Sequence, residues 1–304
     1  MLIKEKYVIL SLYRFINIKN IFREKNLLKR KLKNCDAKGT VILAPEGINL
    51  SLSFLSKHKK SLIEMLKSFN ISKMENNNLL YDQKHAFNKL KIKIKREILT
   101  TRHSKKNINP IEVVGNYVKP EDWDEFINQS DTILIDTRNN FEVELGTFKK
   151  AINPKAKNFT EILNWLENSL LKKNKRNKKK IAMFCTGGIR CEKATSLIKK
   201  KGYKDVYHLK GGIINYLKNN KYSNTWKGEC FVFDNRVSLD VNLKKGSYRI
   251  CFACRMPIKN DEKSFKNELG ISCKFCYGTK TSDQLRRYAM RNYQLKISNK
   301  KALS

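Results

Sequence analysis

Apolar positions in the first hundred residues alternate between two spacings. Tyr7-Val8-Ile9-Leu10-Ser11-Leu12-Tyr13 is a strand-like run, and residues 18–34 then carry Ile21, Phe22, Leu27, Leu28 and Leu32 at helical intervals among lysines. Thr40–Ala44 predicts a second strand, and Ile48–Phe54 a third by its period of two. Residues 56–69 predict a helix with Leu62, Ile63, Leu66 and Phe69 on its apolar side. Leu90-Lys91-Ile92-Lys93-Ile94-Lys95 alternates as a closing strand with one basic face. The order βαββαβ predicts a ferredoxin-like (acylphosphatase-like) α/β domain over residues 1–105.

A connector is expected at 100–110, and Pro120-Glu121-Asp122-Trp123 has the proline and acidic first turn of a helix start. Thr132–Asp136 is a short continuous apolar run, as in a strand buried on both faces. After a Lys-rich loop at Lys172–Lys180, a second such strand, Ile181–Phe184, enters Gly187-Gly188, and a helix is expected at 191–201. Asp205–Leu209 then leads to Gly211-Gly212 and a short helix. Strands alternating with helices predict a parallel-sheet α/β domain over 110–222. The segment 223–304 differs: a strand pair near 230–240, a cysteine module at 251–276 and a basic helix at 281–296, together a zinc-ribbon-like module. No internal repeat is visible.

Charge adds a partner to this picture. The chain has 64 Lys+Arg against 28 Asp+Glu, a formal net charge of +36. Such a surface attracts polyanions, and nucleic acid or an anionic membrane is the expected partner. A richness in Lys, Asn and Ile is also what AT-rich coding produces, so the charge has a second source. No apolar run reaches the length of a membrane span, about 18 residues, and the start Met1–Lys6 lacks a secretory pattern. Without such a leader, eight unevenly placed cysteines read as metal and redox chemistry in a reducing cytoplasm.

Two cysteine groups carry that chemistry. Cys185 ends a buried strand and is followed by Thr186-Gly187-Gly188-Ile189-Arg190 and a helix. This arrangement places sulfur over a cup of backbone N–H groups at a helix N-terminus, with Arg190 adding positive charge, so the thiolate and a bound anion or persulfide are stabilised. The bland alternative is a small core residue. Cys191 is either a second sulfur able to form a disulfide with Cys185 or a first-turn helix residue. Asp136 and Arg138, at the end of another strand, are either a loop brace or part of the site. Farther on, Cys251-Phe252-Ala253-Cys254 and Cys273-Lys274-Phe275-Cys276 form two CxxC pairs eighteen residues apart. That spacing fits a closed, structural Zn2+ site of four thiolates; redox dithiols are the alternative. Lys244, Lys245, Arg249, Arg255 and Lys274 surround the module, and Arg286-Arg287-Tyr288-Ala289-Met290-Arg291-Asn292-Tyr293 offers cations and rings for phosphates and bases, or an ordinary solvated helix. His58, His85, His103 and His208 share no metal spacing, His208 reads as core or rim, and Cys35 and Cys230 read as structural.

The segments Asp136-Thr137-Arg138, Glu142, Gly146-Thr147-Phe148, Cys185–Arg190 and Leu209-Lys210-Gly211-Gly212 resemble a rhodanese domain. More narrowly, Met183–Ala194, Ala44-Pro45-Glu46-Gly47-Ile48-Asn49, Asp136-Thr137-Arg138-Asn139 and Gly228–Val237 resemble the bacterial rhodanese-containing tRNA uridine hydroxylases. The resemblance implies oxygen-dependent 5-hydroxylation of the tRNA wobble uridine, with molecular oxygen as co-substrate and a reductant that the sequence does not name. It also implies that the tRNA anticodon arm is the partner. A persulfide-carrying sulfurtransferase in tRNA thiolation is the rival expectation, and a non-catalytic RNA-binding adaptor a third. Oligomeric state is not legible in the chain.

Overall fold

The computed structural model of the chain describes residues 7–67, 69, 79–102, 108–170, 172, 179–219, 225–261 and 271–301. The start Met1–Lys6, His103 with the middle of the expected connector, and most of the Lys172–Lys180 loop lie outside these residues.

The first layer runs β1 (Tyr7–Phe15), α1 (Ile21–Asn34), β2 (Lys38–Ala44), β3 (Gly47–Leu55), α2 (Lys59–Lys67), β4 (Leu79–Asp82) and β5 (Leu90–Ile94). Its sheet has the order β4-β1-β3-β2-β5. β3 is antiparallel to both β1 and β2, β4 is antiparallel to β1, and β5 is parallel to β2. The expected closing strand is therefore corrected. Leu79–Asp82 closes the βαββαβ unit beside β1, while Leu90–Ile94 is an added fifth strand at the opposite edge. Four residues carry too little alternation for β4 to be read from sequence. The pattern in β5 is real: Leu90 and Ile92 pack on the core, and Lys91 and Lys93 are exposed.

The central layer contains β6 (Asn116–Val118), α3 (Pro120–Asn128), β7 (Thr132–Asp136), α4 (Asn140–Val143), β8 (Gly146–Phe148) and α5 (Phe159–Trp165). It continues through β9 (Lys180–Phe184), α6 (Ile189–Lys200), β10 (Val206–Leu209) and α7 (Gly212–Asn219). Strands β6-β10-β9-β7 form a wholly parallel sheet in that order. Its two faces explain why β9 is apolar throughout. Ile181, Met183 and Cys185 enter one core with α5 and α6, whereas Ala182 and Phe184 enter the other with α3 and α7. Cys185 thus continues one apolar row off the carboxyl end of the sheet, where open α/β sheets place their sites.

The C-terminal segment returns to this layer first. β11 (Trp226–Gly228) pairs antiparallel with β8, and Trp226 and Cys230 are buried in the central core. A small hairpin joins β12 (Cys230–Phe231) to β13 (Ser238–Leu239). Beyond it, β14 (Tyr248–Ile250) pairs with β15 (Pro257–Lys259), and α8 (Ser282–Lys301) closes the chain. The four expected metal cysteines fall in a separate small core with Ala253, Ile258 and Ile271.

Candidate active site and cysteine centre

Cys185 is 1 % exposed. Burial by itself raises a thiol pKa, yet this one is lowered to about 6. The opposing causes are a hydrogen bond from the Cys191 thiol, the Arg190 charge, and the backbone amides of Cys191 and Gly188. The Gly188 amide donates to Cys185 Sγ at 3.1 Å. Gly188 achieves this with φ +102°, and a Cβ there would meet Tyr13 Oη at 2.7 Å. Gly212 is as constrained: its Cβ would lie 2.5 Å from the Cys185 carbonyl oxygen. This close approach lets the Ile213 and Ile214 amides donate to the Cys185 and Thr186 carbonyls, at 2.9 and 3.2 Å. The two Gly-Gly turns therefore lock one loop from opposite ends, with Gly187 open to solvent.

Arg190 does not point freely at the loop. Its guanidinium makes a bidentate pair with the fully buried Glu142, at 2.7 Å for each bond. Burial would raise the Glu142 pKa, but Arg190 outweighs it and holds Glu142 ionised. Cys191 is sealed in the core, 3.5 Å from Thr137 Oγ1, and burial and the neighbouring Cys185 push its thiol well up. One sulfur is thus poised as thiolate, and the other keeps its proton and donates a hydrogen bond to it. Asp136 and Arg138 form a second buried bidentate pair, at 2.9 and 2.6 Å. Thr147 Oγ1 donates to Asp136, and Arg138 donates to the Gly146 carbonyl and faces the Trp226 ring. Through these bonds the two residues tie β7 to β8.

The structure adds residues that pattern reading did not single out. Glu192 Oε1 accepts from Tyr13 Oη at 2.7 Å and from Tyr117 Oη at 2.9 Å. Lys193, fully buried, bonds Glu46 at 2.8 Å, Glu97 at 2.9 Å and the Leu99 carbonyl at 3.0 Å. Adjacent residues of α6 therefore bind the first layer to the cysteine loop. Glu46 and Lys193 each lay inside a noted sequence block, which is the signal they offered; their pairing across 147 positions was not legible. His208 is buried against Tyr117, with ring centroids 4.3 Å apart, and burial lowers its pKa to about 3, so it is neutral.

In the C-terminal module the sulfurs of Cys251, Cys254, Cys273 and Cys276 all lie within 4.8 Å of one another. The separations Cys251–Cys276, Cys254–Cys273 and Cys273–Cys276 are 3.8, 3.7 and 3.9 Å. A tetrahedral zinc shell with Zn–S of about 2.3 Å has edges of about 3.8 Å. The donor set and spacing fit a metal closed in by four thiolates. The tail helix is partly committed to this module: Arg291 donates to the Phe252 carbonyl and packs on the Tyr288 ring. Arg286, Arg287 and Tyr293 remain exposed, as do Lys244, Lys245, Arg255 and Lys274. Among the described residues no helix is long and apolar enough to cross a membrane.

Residues 7–98 match the family described as UPF0176 acylphosphatase like domain, and residues 119–219 match the rhodanese-like domain. The tRNA uridine(34) hydroxylase of Prochlorococcus marinus (strain MIT 9515) is 44 % identical over 305 residues, covering 97 % of each chain. Among solved structures, a rhodanese-related protein from Thermoplasma volcanium aligns with 34 % of this chain and 92 % of its own, at 22 % identity and TM-score 0.28. The reduced CoADR-RHD of Bacillus anthracis aligns with 70 % of this chain and 34 % of its own, at 18 % identity and TM-score 0.33.

Proposed function

Because the chain belongs to the tRNA uridine(34) hydroxylase family, we propose that it hydroxylates C5 of the wobble uridine in tRNA, with molecular oxygen as co-substrate. The observation that carries the chemistry is Cys185 Sγ at the strand end, accepting from the Gly188 amide at 3.1 Å beside the Arg190 charge, surroundings that lower its pKa to about 6. C5 of uridine is a poor nucleophile until a group adds at C6. Cys185 Sγ supplies that group: it bonds C6, and the electron pair of the C5=C6 bond moves toward C5 and the O4 carbonyl. Thr186, Gly187, Gly188 and Ile189 shape the loop, while Arg190, held by Glu142, keeps the sulfur anionic. The Cys191 thiol, pushed up and so keeping its own proton, donates the hydrogen bond that steadies the Cys185 thiolate. Asp136 and Arg138 hold the loop's floor.

Four thiolates at 251, 254, 273 and 276 would hold Zn2+, which supplies folding energy to the module and no open coordination site for catalysis. The division into 1–105, 110–222 and 223–304 belongs to the same reading. The first and last segments would grip the anticodon arm around the central loop, and a reducing cytoplasm suits the free thiols.

The test is a nucleoside profile of tRNA from a strain lacking its own hydroxylase and carrying this chain, grown with and without oxygen. Oxygen-dependent appearance of 5-hydroxyuridine derivatives is expected. Appearance of a thiouridine instead would assign the loop to sulfur transfer.

A further inference from the structure

Glu192 has no part in the chemistry described so far. Two elements far from α6 in sequence, β1 and β6, converge on one of its carboxylate oxygens, Oε1, through Tyr13 and Tyr117. Among the described residues no Lys or Arg forms an ion pair with it, although the Arg14 charge acts on it from β1. Adjacent Lys193, with two carboxylate partners, already fastens the layers together. A carboxylate held by two neutral hydroxyls and no paired cation is a weak fastener, and its burial, against those hydroxyls, makes it readier to take a proton.

Its location supports the second role. Tyr13 Oη rests against Gly188, whose amide donates to Cys185 Sγ, and the Cys185 and Glu192 charges act on each other. Burial raises the Glu192 pKa above the ordinary carboxylate range, against the two hydroxyls, while the neighbouring thiol is held low. Two titratable groups pushed in opposite directions at one loop are the arrangement acid–base chemistry uses.

We propose that Glu192 is the base that removes the proton from C5 of the uridine as Cys185 leaves C6. The inference rests on addition of Cys185 to C6. In this step the C5–H bond breaks and its electron pair forms C5=C6. The C6–S bond breaks with its pair returning to sulfur, and the proton ends on a Glu192 carboxylate oxygen. Nothing is oxidised or reduced. Tyr13 and Tyr117 are positioning residues that aim the carboxylate.

The test uses the full chain expressed in cells that supply tRNA, as wild type, Glu192→Gln, Cys185→Ser and the double variant. Glu192→Gln should slow 5-hydroxyuridine formation by about 10²-fold or more. It should also accumulate a denaturation-resistant protein–tRNA adduct joined through Cys185 to C6, which wild type does not retain. A merely structural role would lower product and adduct together. Wild-type product from Glu192→Gln, or lost product without adduct, overturns the proposal while leaving Cys185 in place. Full product from Cys185→Ser, or an adduct in the double variant, overturns the nucleophile itself. If Glu192→Gln fails to fold, Tyr117→Phe serves, since it removes one of the two aiming bonds from an exposed side chain. It should show the same adduct at lower yield, and its absence alongside reduced product overturns the proposal.

Discussion

A thiol shut away from water ordinarily keeps its proton, but the donors around Cys185 reverse that balance and bring its pKa to about 6. The thiolate is the reactive form and its fraction rises with pH. Alkylation of Cys185 by iodoacetamide should therefore climb through a midpoint near pH 6. An unperturbed thiol would show its midpoint near pH 8.5. Cys191, pushed upward, should stay unmodified under the same conditions. The Glu142–Arg190 pair carries a separate expectation. Glu142→Gln leaves a buried guanidinium facing a neutral amide, which costs about 3–5 kcal/mol and should appear as a lower urea midpoint. Much of this loop's geometry was legible because Cys185–Arg190 is contiguous and its strand-turn-helix setting shows in the pattern. Glu192, Tyr13 and Tyr117 were not legible. Their meeting point depends on how two sheets dock, and the bonded pairs stand 179 and 75 positions apart.

At the scale of elements, long periodic segments were readable, and of the short ones only those that were continuously apolar or followed a clear turn. β1, β3, α1 and β9 follow from their spacing, whereas β4, β6 and β8 hold only three or four residues each. The cost of missing β4 was a misplaced closing strand, since Leu90–Ile94 alternates well enough to stand in for it. The cysteine module was readable for the opposite reason: a tetrahedral site fixes ligand spacing whatever the intervening chain does. Purified protein should hold about one zinc per chain. Cys254→Ser should lose it and expose the β14–β15 hairpin and α8 to protease while leaving the cysteine loop intact. The clamp from α6 to the first layer is testable in the same way. Lys193→Met leaves Glu46 and Glu97 without their cation, and should loosen the first layer without unfolding the central sheet. Faster hydrogen exchange confined to β1–β3 and α6 would report it.

For the whole molecule, a charge of +36 would set the terms of encounter with a polyanion such as tRNA. The exposed lysines of β5 and the exposed arginines of α8 belong to that field. Phosphate contacts release counterions, so tRNA affinity should fall by about 10³-fold or more between 50 and 200 mM salt. A flat response would make the lysines a compositional trait and leave recognition to shape. In the function proposed above, the field would bring tRNA in, the two docked layers would frame the loop, and Cys185 would act on the base. The most direct measurement supplies heavy-isotope oxygen gas to cells expressing either this chain or its Cys185→Ser variant, and analyses their tRNA nucleosides by mass spectrometry. The expected result is heavy oxygen in 5-hydroxyuridine derivatives at the wobble position with the native chain and none with the variant. Equal labelling from the Cys185→Ser variant, or a product whose new oxygen is light, would contradict oxygen-dependent hydroxylation through Cys185.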